Sequence, residues 1–263
     1  VLLCLRLDAQ ADLEMASSDI VASFAGCAGQ RCMAASVLLT LGAQPALVAR
    51  VVEKAKAIPM GQAKGCMGPV IDAAAEERIV SYITSAERDG VKVLLDGRTW
   101  AKAKLDQTST EHGGASLAGG FWVGPTILEV PAHMRSHRVM CDEIFGPVLC
   151  VHSVPDAPTA LAIERADPHG NAACIYTSSG ATADWFSRRF NAAMGALLPQ
   201  PRGALVLVCP PVHLSLCARR CICPCVPAGA FVLVCPPVHL SLCARRCTCP
   251  CVPAGAFVPV CPP

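Results

Sequence analysis

Between residues 11 and 195 apolar residues recur with two alternating periods, and this alternation limits the possible folds more than any single motif does. Leu13, Ala16, Ile20, Val21 and Phe24 keep helical spacing over 11–25. "SVLLTLG" (36–42) is a short apolar run, which predicts a buried strand. "PALVARVVEKAKAI" (45–58) returns to one apolar helical face, with Pro45 in the first turn where a proline is tolerated. "DAAAEERIVSYITSAERDG" (72–90) opens on Asp72 as N-cap, places Glu76 and Glu77 near the positive end of the helix, and stops at Gly90. Val91, Val93 and Leu95 then alternate as a strand, and 98–118 is a polar, Gly-rich loop. "FWVGPTIL" (121–128), "PVLCVH" (147–152) and "ACIYT" (173–177) predict strands, and 156–167 and 181–194 predict helices. The expected fold class is therefore α/β, a largely parallel sheet flanked by helices.

The last 63 residues obey different rules. Residues 209–234 return as 235–260 with two differences, Ile222 against Thr248 and Leu233 against Pro259, which points to a recent tandem duplication. Twelve of the 22 prolines and eleven of the 18 cysteines fall in 201–263, so 205–263 is expected to be a low-complexity, disordered tail beside a domain at 11–195. Its "CxCPC" clusters suit soft metals, but C-x-C-x-C lacks the C-x₂₋₄-C frame of structural zinc sites, so no metal ligands are assigned. The net charge of +2 argues against nucleic acid as a partner. No apolar run of transmembrane length occurs without charge or proline, so no membrane partner is expected, and "VLLCLRLDAQ" (1–10) makes a poor signal peptide.

Chemistry concentrates in "FAGCAGQRCMAAS" (24–36). A thiolate is a soft nucleophile, and Cys32 follows Arg31, a cation that favours the thiolate and whose planar fork can hold a substrate carboxylate. Cys27, among small residues, is expected to be packing. His137, His152 and His169 have no ligand spacing and are expected in surface or turn positions. Neither a GxGxxG nor a Walker loop occurs.

Five stretches in order carry a family resemblance. "FAGCAGQRCMAAS", through Phe24, Gly29, Gln30 and Cys32, resembles the active-site cysteine motif of the aldehyde dehydrogenase superfamily. "EIFGPVL" (143–149) resembles its second motif about 110 residues later, and "ADLEMA" (11–16), "MGPVIDAAAEERI" (67–79) and "GGFWVGPTIL" (119–128) are similar to further stretches. "GQRCMA", "LLDGR" (94–98) and "HGNAACIYTSSGATA" (169–183) resemble the CoA-acylating methylmalonate-semialdehyde dehydrogenase branch. The resemblance implies a partial catalytic domain of the aldehyde dehydrogenase fold. Cys32 would be its nucleophile, forming a hemithioacetal and then a thioester, and Arg31 would bind the substrate carboxylate. Glu143 and Phe145 would contact NAD at the nicotinamide ribose and ring, and CoA would take the acyl group.

The same resemblance implies a small-molecule semialdehyde substrate, a homo-oligomer and a mitochondrial location, although no transit peptide is visible; the other expected location is cytoplasmic. The family's nucleotide-binding domain and its oxyanion-stabilising asparagine precede the cysteine motif, and only 31 residues do so here, so this chain alone is expected to be inactive. Two other readings stay open at this point: a hydrolytic aldehyde dehydrogenase, and a non-catalytic Cys-rich metal-binding protein.

Overall fold

A computed structural model describes residues 2–6, 13–61, 65–99, 120–169, 172–177, 179–190, 194–198, 205–208 and 231–234. The described strands are β1 (Leu2–Arg6), β2 (Ala35–Leu41), β3 (Lys92–Leu95), β4 (Thr126–Val130), β5 (Val148–Val154), β6 (Ala172–Tyr176), β7 (Met194–Leu198), β8 (Leu205–Val208) and β9 (Phe231–Val234). They form one sheet in the order β3-β4-β5-β2-β1-β6-β7-β8-β9. Only the β3–β4 and β7–β8 pairings are antiparallel. The other six are parallel, as the alternation of helix and strand predicts. β5 and β6 are buried almost without a break, the pattern of strands covered on both faces.

The helices are α1 (Leu13–Ala25), α2 (Pro45–Lys56), α3 (Ala73–Arg88), a single turn α4 (Arg138–Cys141), α5 (Ala157–Ala166) and α6 (Gly180–Arg189). α1 packs on α2, β2 and β5, and α3 on β3 and α4. α2 buries Leu47, Val51 and Ala55, four residues apart each time. α3 begins where its cap dictates: the Asp72 carboxylate accepts the Ala75 amide at 2.7 Å. It ends at Gly90, whose φ of 98° suits glycine alone.

Several expectations are corrected. β1 lies outside 11–195, yet "LLCLR" sits between β2 and β6 in the middle of the sheet. Its continuous apolar run is what such a position requires. Within 205–263 the described residues are β8 and β9, where "LVLV" and "FVLV" are proline-free β-formers between the proline clusters. The helix expected over 181–194 stops at Arg189: Phe190 leaves the helix and stacks on Phe186 at 4.2 Å, and the apolar "MGALL" becomes β7. The strand expected from Phe121 begins only at Thr126. Before it, Gly124 is tied to Gly97 by its amide at 2.9 Å, and Pro125 has no amide to donate. His152 is not at the surface; it is buried in β5, with Nδ1 at 2.9 Å from the Val130 carbonyl of β4. Most of the expected 98–118 loop, from residue 100 onward, lies outside the described residues.

Arg98 ties α3 to the end of β3. Its Nη2 donates to Asp96 and to Glu87, each at 2.6 Å, and Nη1 donates to Thr84 at 3.1 Å. Hydrogen bonding from Arg98 holds the Asp96 carboxyl below the usual carboxylate range. A carboxyl lowered by folding contributes stability above its unfolded pKa of about 3.9 and loses it as pH falls through the lower folded value. Arg98→Ala should therefore cost ~1 kcal/mol near pH 7, a modest figure because solvent screens a partly exposed pair. The gap between variant and wild type should stay constant above about pH 5 and close below about pH 4. Melting temperatures across that range check this, and a gap that widens in acid would refute the pairing.

Candidate active site

The cysteine motif leaves α1 through a tight turn at Gly26–Gly29. Cys27 (φ 52°), Ala28 (φ 53°) and Gly29 (φ 69°) all adopt the left-handed conformation. For Cys27 and Ala28 this costs about 1–2 kcal/mol each, and such strain tends to collect where a site needs a particular backbone path. Gly29 is required twice over: a Cβ there would lie 2.0 Å from the Gly146 carbonyl oxygen. The close approach brings the cysteine turn directly against "EIFGPVL". Gln30 fastens the turn on its other side, donating from Nε2 to the Pro69 carbonyl at 3.3 Å and accepting the Ile71 amide at 2.9 Å. Ser23 of α1 holds the start of β2 by accepting the Ala35 amide at 3.0 Å.

α3 supports the opposing loop from beneath. Arg78 donates to the Ile144 carbonyl, and Tyr82 donates its hydroxyl to Asp142 at 2.8 Å. The Arg138 guanidinium covers the Tyr82 ring at 3.9 Å. Ile79 fills the space under Gly146, 2.6 Å from where a Cβ would stand. The stretch "MGPVIDAAAEERI" thus serves both walls: Pro69 and Ile71 hold the cysteine turn, while Arg78 and Ile79 hold the facing loop.

All four residues singled out from the sequence, Arg31, Cys32, Glu143 and Phe145, line the cleft between these walls. Cys32 is exposed. Among the described residues no carboxylate pairs with Arg31 and no cation with Glu143. Phe145 has φ 53° and is 40% exposed, so its ring is presented rather than packed away. Ser36 also lines the cleft, with a buried hydroxyl that has no hydrogen-bond partner among the described residues. Sequence reasoning missed it, since a serine at the start of a strand looks ordinary.

Cys27 is corrected too. It is exposed, not packed, and its sulfur accepts a hydrogen bond from Arg31 Nη2 at 3.1 Å. Two other thiols, Cys150 and Cys141, are shifted upward. Burial pushes Cys150 up to about 12, and its Sγ donates to the Val139 carbonyl at 3.2 Å. Partial burial, then the charges of Asp142 and Asp167, raise Cys141. The described residues contain no cluster of three or more metal-ligating side chains, and the "CxCPC" cysteines lie outside them. No described helix is long and apolar enough to cross a membrane.

The mostly parallel α/β sheet thus carries a cleft lined by an exposed thiol, a guanidinium and a carboxylate. The aldehyde dehydrogenase family profile matches residues 5–197. The chain belongs to the aldehyde dehydrogenase family. A Dictyostelium discoideum relative named "Probable methylmalonate-semialdehyde/malonate-semialdehyde dehydrogenase [acylating], mitochondrial" is 37% identical over 181 residues, which cover 67% of this chain and 32% of the relative. The crystal structure of methylmalonate-semialdehyde dehydrogenase from Oceanimonas doudoroffii superposes with a TM-score of 0.62 at 30% identity, covering 76% of this chain and 39% of the other. A Thermus 1-pyrroline-5-carboxylate dehydrogenase with bound NAD gives a TM-score of 0.60 at 28% identity, covering 74% and 34%. The chain spans about a third of the length of the curated relatives it matches.

Proposed function

We propose that this chain carries the nucleophile-bearing part of a CoA-acylating, NAD-dependent dehydrogenase of methylmalonate or malonate semialdehyde. The observation that carries the reading is the placement of Cys32, Arg31, Glu143 and Phe145 in one cleft. The Cys32 sulfur bonds to the aldehyde carbon while the carbonyl oxygen takes up a proton, giving a hemithioacetal. Arg31 binds the carboxylate at the other end of the same molecule and so points the aldehyde at the sulfur.

The residues present fit NAD. Glu143 offers an acidic acceptor for a ribose diol, and Phe145 offers an exposed ring to pack against the nicotinamide. NAD, when bound, supplies the hydride acceptor that oxidation to the thioester requires. Cys32 holds the acyl group until the CoA thiol takes it; with methylmalonate semialdehyde, loss of CO2 leaves propionyl-CoA. The name of the Dictyostelium relative supports both the acylating reading and a mitochondrial location.

The substrate class is tested on the chain itself. Malonate semialdehyde should protect Cys32 from iodoacetamide about tenfold better than propanal does, the advantage of one charge-assisted carboxylate contact. Peptide mass spectrometry reads the label at each thiol. Equal protection by the two aldehydes, or alkylation of Cys32 no faster than that of buried Cys150, would remove the reading. In the whole enzyme, formation of an acyl-CoA in place of a free acid separates CoA transfer from hydrolysis.

A further inference from the structure

Arg31 does not point into the cleft unsupported. Its guanidinium folds back across Gly26, where an added Cβ would lie 2.9 Å from Nη1 and 3.2 Å from Cζ. Its Nη2 meets the Cys27 sulfur at 3.1 Å. The bare glycine and the left-handed path through Cys27 together make a niche for one edge of the guanidinium. A guanidinium has five N–H donors, two of them on Nη2, so one hydrogen bond to sulfur leaves the second Nη2 proton able to join the Nε proton on the same edge in two parallel bonds to a carboxylate.

We propose that Cys27 is a positioning residue: its sulfur anchors Arg31 Nη2 and so fixes the guanidinium where the substrate carboxylate is received beside Cys32. The inference rests on the reading of Arg31 as the carboxylate-binding residue and adds to it the group that sets where that residue stands. An arginine on an exposed turn otherwise samples many rotamers, and anchoring one nitrogen in advance removes part of the ordering cost of binding. Cys27 touches neither the reacting atoms nor the cofactor in this scheme. It acts on selectivity for carboxylate-bearing substrates rather than on the chemistry at sulfur.

The test uses two alkylating reagents that differ by one carboxylate, iodoacetate and iodoacetamide. Their relative initial rates at Cys32 are read by peptide mass spectrometry in the full chain. Arg31→Gln should lower the iodoacetate-to-iodoacetamide ratio about tenfold, the worth of one charge-assisted contact. Cys27→Ala should lower the same ratio about threefold and leave the iodoacetamide rate unchanged, the effect of releasing one long side chain. Cys27→Ser should retain the wild-type ratio, because a hydroxyl oxygen also accepts from Nη2.

If Arg31→Gln collapses the ratio and Cys27→Ala does not, the positioning role is wrong and the carboxylate reading stands. If Arg31→Gln leaves the ratio unchanged, the carboxylate reading fails and the positioning role falls with it. Equal loss of both rates in Cys27→Ala and Cys27→Ser would make Cys27 a structural part of the turn and overturn the proposal.

Discussion

Gly29→Ala should lower the melting temperature by roughly 6–12 °C, the equivalent of about 3 kcal/mol in a domain of this size. Two penalties add. The first is conformational: a residue with a Cβ at φ 69° costs about 1 kcal/mol or somewhat more. The second is steric. The new carbon would stand 2.0 Å from the Gly146 oxygen, 2.2 Å from its carbonyl carbon and 2.7 Å from the Pro147 nitrogen, all of them backbone atoms. Backbone cannot swing aside as a side chain does, so the two walls of the cleft must part. Gly42 separates the terms, because it has φ 63° and nothing within 4 Å of an added Cβ. Gly42→Ala should therefore show only the conformational part, about 2–4 °C. The rate of Cys32 alkylation should change in Gly29→Ala and stay at the wild-type value in Gly42→Ala. Equal melting shifts for the two variants would mean that the contact with Gly146 carries no energy.

Phe24→Ala should cost about 3–5 kcal/mol, or roughly 6–20 °C in melting temperature. Phe24 is fully buried, among the largest wholly enclosed side chains of the core. Its loss removes the transfer free energy of an aromatic ring and leaves a cavity that close-packed neighbours fill only in part. Position matters as well. Phe24 is the penultimate residue of α1, immediately before the turn that carries Cys27 to Gly29. Loosening that end of the helix should speed hydrogen exchange across 24–36 ahead of the rest of the chain. Uniform acceleration throughout the described residues would show that Phe24 supports the core alone and not the turn.

Much of the architecture was legible from local signals. Asp72 and Gly90 mark the limits of α3 because a carboxylate cap and a left-handed glycine are chemical requirements of helix ends. The strands β5 and β6 were legible as continuous apolar runs because both of their faces are covered. What escaped depends on partners distant in sequence. His152 reads as polar until β4 places the Val130 carbonyl beside its ring. "VLLCLRLDAQ" reads only as a poor signal peptide until β2 and β6 flank β1.

The site divides in the same way. Cys32, Arg31, Glu143 and Phe145 stood out through their motifs, but only the Gly29–Gly146 approach accounts for their sharing one cleft. The exposure of Cys27 follows from a left-handed path through two residues that are not glycine, which no propensity scale would anticipate.

The pairing of β8 with β9 sets Leu205 against Phe231 and Val208 against Val234, a constant displacement of 26 residues, which is also the length of the repeated unit. The repeat length of the sequence and the step from β8 to β9 therefore coincide. Each further copy would present another short β-forming run already in phase with the last, and would lengthen the row of strands by about 4.8 Å. The third such run of the sequence reads "FVPV", with Pro259 where the second run has Leu233, and a proline has no amide hydrogen to pass to a neighbour.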